Sequence, residues 1–174
     1  HVIVLGGGNT AMDAASESAR MGAQKVVLAY RRAKEAKGAY EFEYNLAKKV
    51  GVEGLFNVAP VEIVGTTKVE GVRFVRTKIN ENGELTNVTG SEFMLPCDMV
   101  IKATGQAKRT NFLQDINNLK FDPKGRIVVN EGYQTTNEKY FAGGDAVNGG
   151  AEVVNAVAEA KVAAQAIHKF LTAS

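Results

Sequence analysis

The chain has 174 residues, of which 45% are apolar and 23% charged, with a formal net charge of +2. That length suits one domain or two small ones around an ordinary buried core. The charge is mild and its signs are interspersed, which argues against a nucleic-acid partner, and no apolar run reaches the roughly 18 residues of a membrane span.

No signal-peptide pattern is visible. The single cysteine, Cys97, excludes an intramolecular disulfide, a CxxC redox pair and a four-cysteine cluster within these residues. It fits a reduced, cytoplasmic compartment. Residue 1 is His1 rather than Met, and an apolar strand follows at once. The expectation is an excised piece of a longer polypeptide.

In chain order, VIVL (2–5) is a continuous apolar run, the pattern of a strand buried on both faces. A helix follows, with Asn9 or Thr10 as its cap. Ala11, Ala15, Ser18 and Gly22 form a small-residue face that can lie close to a sheet. VVLAY (26–30) is the second strand, and the three elements span roughly the thirty residues of a βαβ unit. EFEYNLAKKV (41–50) reads as a helix ended by Gly51, and GLFNV (54–58) as a third strand. VEIVG, VEGVRFVRTKI and SEFMLP, with Asn82-Gly83 as a turn signal, predict a small antiparallel β-meander. DMVIKATG (98–105) returns to a buried parallel strand. A second segment follows, with RIVVN and KYFAGGD as short strands and a helix from about Glu152 to Leu171. Val153, Val157, Ala160, Ala164, Ile167 and Leu171, widened by Ala156, Ala163 and Phe170, give that helix a broad apolar face. The predicted fold class is α/β: a Rossmann-like parallel sheet with helices on both faces, the meander, and a C-terminal segment. The predicted boundary separates residues 1–105 from 106–174.

Gly6-Gly7-Gly8-Asn9-Thr10-Ala11 matches G-x-G-x-x-A between a strand and a helix, the context the motif requires. Gly6 permits the tight turn, Gly8 lets a pyrophosphate approach the backbone, and Ala11 lets helix and strand pack. The helix N-terminus offers free N–H groups to phosphate. An NAD site would place an acid at the end of the second strand, about 20 residues on. Here Ala29-Tyr30-Arg31-Arg32 stands instead. An acid would repel a 2′-phosphate, whereas arginine offers it a bidentate fork, so the pattern favours NADP(H). Lys34 and Lys37 read as surface lysines near this end.

These motifs, with ATGQ (103–106) and FAGGDAVNGGAEVVNAVAEAKVAAQAI (141–167), resemble the glutamate synthase small subunit family. Its relatives include the flavoprotein part of dihydropyrimidine dehydrogenase and certain NADP-linked ferredoxin reductases. The resemblance runs over nearly the whole chain. It implies an enzyme in which NADPH reduces FAD by hydride transfer and electrons leave through iron–sulfur clusters to a partner subunit. It carries the pyrophosphate role to Gly6, Gly8, Asn9 and Thr10, and the 2′-phosphate role to Arg31 and Arg32. Thr104 and Gly105 mark the crossover between the NADP and FAD domains. FAD contacts fall on Gly144, Asp145, Val153 and Val154.

The family's first glycine fingerprint, for FAD, and its cluster cysteines are absent from these residues. The resemblance therefore places the other half of the FAD domain and the iron–sulfur clusters outside the chain. It implies an isolated piece that binds NADP(H), holds FAD weakly or not at all, and does not turn over. The lack of CxxC disfavours thioredoxin reductase. No residue reads as a general acid, base, nucleophile or metal ligand. Hydride transfer needs none, because the cofactor carries the chemistry. Cys97 and His168 read as structural, and Asp13, Glu152 and Glu159 as ordinary helix residues. The broad apolar face of the last helix is expected to pack on the NADP domain, swap between copies or be disordered. The rival of another class is a stand-alone nucleotide-binding sensor.

Overall fold

A computed structural model describes residues 1–106 and 111–173. The chain divides into two compact units, His1–Gln106 and Ala107–Ser174.

The first unit is built on a parallel sheet. Strands β1 (Val2–Leu5), β2 (Val26–Tyr30), β3 (Glu53–Phe56) and β8 (Met99–Lys102) lie in the order β3-β2-β1-β8. The register pairs Val2 with both Val26 and Met99. Continuous apolar runs are needed in β1 and β2 because both faces are covered. Val2, Val4, Val26 and Leu28 face helices α1 (Asn9–Arg20) and α2 (Glu41–Lys49), in one core with Ala11, Met12, Ala15, Tyr44 and Ala47. Ile3, Leu5, Val27 and Ala29 face the other way, onto Val58, Val72, Phe74 and Cys97. Fully buried side chains such as Leu28 and Phe74 each stabilise the fold by about 1.5–3 kcal/mol.

Val58, Val72, Phe74 and Cys97 belong to or flank an antiparallel sheet. Its strands are β4 (Val58–Val64), β5 (Gly71–Ile79), β6 (Leu85–Asn87) and β7 (Phe93–Pro96). The α/β class with an antiparallel addition is as expected. The second face of the parallel sheet is covered by this antiparallel sheet, however, and not by helices. Val72 and Phe74 of β5 supply much of the covering surface that a helix was expected to supply.

Local departures have physical causes. The small face of α1 turns out to be Ala11, Met12, Ala15 and Ser16; Ser18 is half-buried, and Gly22 lies beyond the helix end at φ +97°. The expected strand 54–58 is split by Asn57, whose φ of +56° redirects the chain from the parallel to the antiparallel sheet. Asparagine tolerates that left-handed conformation better than most residues. Strand β5 is long enough for β6 to pair with Thr77–Ile79 and β7 with Gly71–Phe74. The expected turn lies between β5 and β6, where Asn80 Oδ1 accepts the N–H groups of Asn82 and Glu84 and Gly83 takes φ +79°. Strand β8 was expected to be buried, but it is the edge of its sheet and leaves Met99 54% exposed.

The second unit contains α3 (Asn111–Gln114), α4 (Asp145–Asn148) and α5 (Val153–Thr172). RIVVN and KYFAGGD do not extend into strands. They make the isolated bridges Phe121↔Ile127, Val129↔Thr135 and Gln134↔Phe141. Side chains hold these turns. Asp122 Oδ1 accepts from the Lys124 and Arg126 N–H groups, and its Oδ2 accepts from Arg126 Nε at 2.6 Å. These bonds, led by the Arg126 backbone N–H, hold the Asp122 carboxyl below the usual carboxylate range. A lowered folded value contributes stability above the ordinary pKa, about 3.9, that is lost as pH falls through the folded value. Thermal unfolding should therefore show Asp122→Asn less stable than the parent at neutral pH. The gap should close as the medium is acidified below that range.

On α5 the buried stripe is Ala163 with half-buried Ala156, Glu159 and Ala166, and Phe170 meets Phe141 edge-on. Val153, Val157, Ile167 and Leu171, part of the expected apolar face, are exposed. Among the described residues no helix is long and apolar enough to cross a membrane.

Candidate functional site

A cavity of about 740 Å³ opens over the C-terminal ends of β1, β2 and β8 in the first unit. Gly6, Gly7, Gly8 and Thr10 line it from the turn before α1, Tyr30, Arg31 and Arg32 from the end of β2, and Thr104 and Gly105 from beyond β8. Residues up to 100 positions apart in sequence thus converge because three parallel strands end side by side.

The three glycines of the turn do different work. A Cβ on Gly6 would stand 2.3 Å from the Ala103 carbonyl oxygen and 2.9 Å from the Ala11 Cβ, so packing forbids a side chain there. A Cβ on Gly7 would lie 2.5 Å from the Tyr30 ring. A Cβ on Gly8 would meet nothing within 4 Å, although Gly8 lines the cavity. Its φ of −96° is open to any residue. Neither packing nor backbone conformation accounts for a glycine at position 8. The open space above it leaves its backbone accessible from the cavity.

Gly8, and not Asn9 or Thr10, is the N-cap of α1, and no side chain caps the helix. Its first N–H groups therefore have no side-chain acceptor from the cap. Asn9 does not line the cavity. Its Oδ1 accepts the Tyr40 N–H at 3.0 Å, and Ala39 N–H donates to the Gly7 carbonyl at 2.9 Å. Asn9 thus anchors the loop 33–40 to the glycine turn. That loop brings Gly38 into the lining, while the Tyr30 hydroxyl donates to the Ala36 carbonyl at 3.0 Å.

Arg31 and Arg32 are exposed at the rim, and neither guanidinium has a carboxylate partner among the described residues. No Asp or Glu stands among the residues lining the cavity. Lys34 and Lys37 are engaged elsewhere. Both ammonium groups lie over the Tyr44 ring, at 5.2 and 5.3 Å from its centroid, and Lys37 also pairs with Glu41. That bond to Lys37 is the main reason the Glu41 carboxyl sits below its ordinary value.

Sequence reasoning missed Tyr30, Gly38 and the 58–60 wall of Val58, Ala59 and Pro60. The glycine in the loop after the arginine pair was a usable signal for Gly38. Nothing local marked the wall, which arrives from the antiparallel sheet.

In the second unit Gly144, Asp145, Val153 and Val154 cluster where α4 and α5 begin. Gly144 takes φ +63° and lines a smaller apolar cavity of about 390 Å³ with Phe141 and Ala156. Asp145, Val153 and Val154 are exposed and do not line it. Glu159, read from sequence as an ordinary helix residue, accepts the Gly144 N–H at 2.5 Å and the Asn148 amide at 3.0 Å. It fixes the GGD turn to α5. Among the described residues no cluster of His, Cys, Asp and Glu could hold a metal ion.

Cys97 lies in the core between the two sheets, 4% exposed, and burial pushes its thiol up. Its labelling by a thiol reagent at pH 8 should be at least about 100-fold slower in the native protein than in denaturant, since both access and thiolate are suppressed. Rapid native labelling would contradict this packing.

The strand–glycine turn–helix cradle, the arginine pair and the GGD turn all lie within the stretch that one known family covers. Residues 1–160 match it. The chain belongs to the pyridine nucleotide-disulphide oxidoreductase family. It is 41% identical to the glutamate synthase [NADPH] small chain of Escherichia coli (strain K12), over 98% of this chain and 38% of that protein. It is 32% identical to the NAD-dependent dihydropyrimidine dehydrogenase subunit PreT of the same organism, over 97% of this chain and 36% of that protein. Among solved structures it resembles T. acidophilum thioredoxin reductase, with a TM-score of 0.79 and 26% identity over 97% of this chain and 51% of that one. The chain thus spans little more than a third of each of these two curated relatives.

Proposed function

We propose that the first unit binds NADP(H) and that the protein is an NADPH-dependent flavin oxidoreductase similar to the glutamate synthase small chain. The observation that carries this is the unpaired Arg31–Arg32 pair at the rim of a carboxylate-free cavity floored by the glycine turn. Gly6 and Gly8 shape the floor, and the α1 N-terminus and Thr10 offer donors to the pyrophosphate. Arg31 and Arg32 take the 2′-phosphate. Thr104 and Gly105 close the side of the cavity at β8. Asn9 acts from behind by holding loop 33–40 in place, a positioning role rather than the phosphate contact expected from sequence. NADPH, when bound, supplies the hydride for the flavin.

The relatives' names divide between NADPH and NAD. The arginine pair, standing where an NAD site carries an acid, favours the former. Gly144, Asp145, Val153 and Val154 are assigned to FAD. In this reading residues 1–105 are the NADP domain and 106–174 part of the FAD domain. The rest of the flavin site, the iron–sulfur clusters and the partner subunit that takes the electrons lie outside the chain. The lone buried thiol accords with a cytoplasmic protein.

Titration calorimetry with NADPH and NADH tests the reading directly. It predicts saturable NADPH binding at least about tenfold tighter than NADH, the least that one charge-assisted hydrogen bond contributes. Equal affinities would overturn it. Saturable binding with no hydride transfer in the flavin-reconstituted full-length protein would favour the nucleotide sensor.

A further inference from the structure

Thr77 is a buried polar residue on β5, 6% exposed, in a strand whose other buried side chains include Val72, Phe74 and Val75. A valine would match its shape. A buried hydroxyl is unfavourable unless it is bonded, and this one has a single distinctive partner. Thr77 Oγ1 donates to the backbone carbonyl of Arg31 at 2.7 Å, across 46 positions of sequence. The Thr77 N–H donates to the Asn57 carbonyl at 2.9 Å, and the Asn57 N–H donates to the Arg32 carbonyl at 3.1 Å. Both carbonyls of the arginine pair are therefore held, that of Arg31 by β5 and that of Arg32 by the residue joining β3 to β4. Asn57 stands at the φ +56° turn where β3 passes into β4.

We propose that Thr77 is a positioning residue for 2′-phosphate recognition. Its hydroxyl holds the Arg31 backbone and so sets the direction in which both guanidinium groups leave the strand end. The inference rests on the NADP(H) reading above and goes beyond it by tying cofactor selectivity to the antiparallel sheet. The arginines are exposed and lack carboxylate partners among the described residues, so their backbone is what anchors them. Fixing the backbone from which they spring reduces the freedom lost when they close on a phosphate. The bare cradle needs none of this. NADH, which lacks the 2′-phosphate, should not sense the hydroxyl.

The test compares NADPH and NADH affinities by calorimetry on the full chain, with thermal unfolding as a check on folding. Thr77→Val should lower the NADPH-over-NADH preference by about three- to tenfold, the range of one hydrogen bond, with NADH affinity unchanged. Thr77→Ser should restore it. In an Arg31→Ala, Arg32→Ala background, Thr77→Val should have no further effect on the preference. Should Thr77→Val fail to fold, Thr77→Cys keeps the size with only a weak donor and takes its place.

An unchanged preference overturns the proposal. So does equal weakening of both cofactors, a failed serine rescue, or an undiminished effect without the arginines. If the double arginine variant itself keeps the parent preference, the 2′-phosphate reading fails, and this proposal with it.

Discussion

Replacing Arg31 and Arg32 together by alanine is expected to weaken NADPH binding by about 10–100-fold while leaving NADH within about twofold of the parent. Hydrogen bonds to charged groups contribute about 1.5–3 kcal/mol each, and each 1.4 kcal/mol is a factor of ten. Both side chains are exposed, so part of that range is lost to solvent screening, and the lower half is the better expectation. The affinity loss should shrink as salt is raised, because the rim is open to water. Stability should hardly change. No ion pair among the described residues is broken, and the backbone bonds to Thr77 and Asn57 remain. A loss that is equal for the two cofactors would move the arginines from 2′-phosphate recognition to general charge attraction.

The second large effect separates the two glycines of the motif by what each protects. Gly6→Ala should destabilise the first unit by about 1–3 kcal/mol, because the new methyl group meets backbone rather than a yielding side chain. In a unit of this size that lowers the unfolding midpoint by several degrees, since about 1 kcal/mol corresponds to roughly 4–8 °C. Gly8→Ala should leave the midpoint where it is, because its Cβ points into open space at an ordinary φ. It should nevertheless weaken NADPH by at least about tenfold, because the methyl group takes space needed by the pyrophosphate. Thermal unfolding and calorimetry on the same two variants give the crossed pattern. Parent-like binding by Gly8→Ala would mean that no phosphate approaches the turn.

Much of this site was legible without coordinates. The G-x-G-x-x-A turn is local chemistry, since a strand, three glycines and a helix start lie in one short stretch. The arginine pair could be placed because a βαβ unit has a nearly constant length, which puts the end of β2 beside the turn. The cap of α1 was misread because Asn9 resembles a capping residue, yet its side chain is drawn to the loop at Tyr40. Asn57 was read through as strand because a single left-handed residue leaves the apolar pattern intact. The face of α5 was legible as a pattern, but a pattern does not say which part is covered. Only Ala163 of that helix is buried.

The sequence by itself determined the parallel core, the glycine turn and the pair of positive charges at the end of β2. Each of these follows from short-range periodicity or from a motif whose parts are neighbours in the chain. Only the tertiary structure decided that a second sheet, and not helices, covers the far face. It also decided that Val58, Ala59 and Pro60 wall the cavity, that Glu159 holds the GGD turn and that Thr77 holds the arginine pair. The physical reason is common to all four. Each depends on which surface a strand or helix meets across long sequence separations, and apolar alternation specifies that a face must be buried without specifying against what.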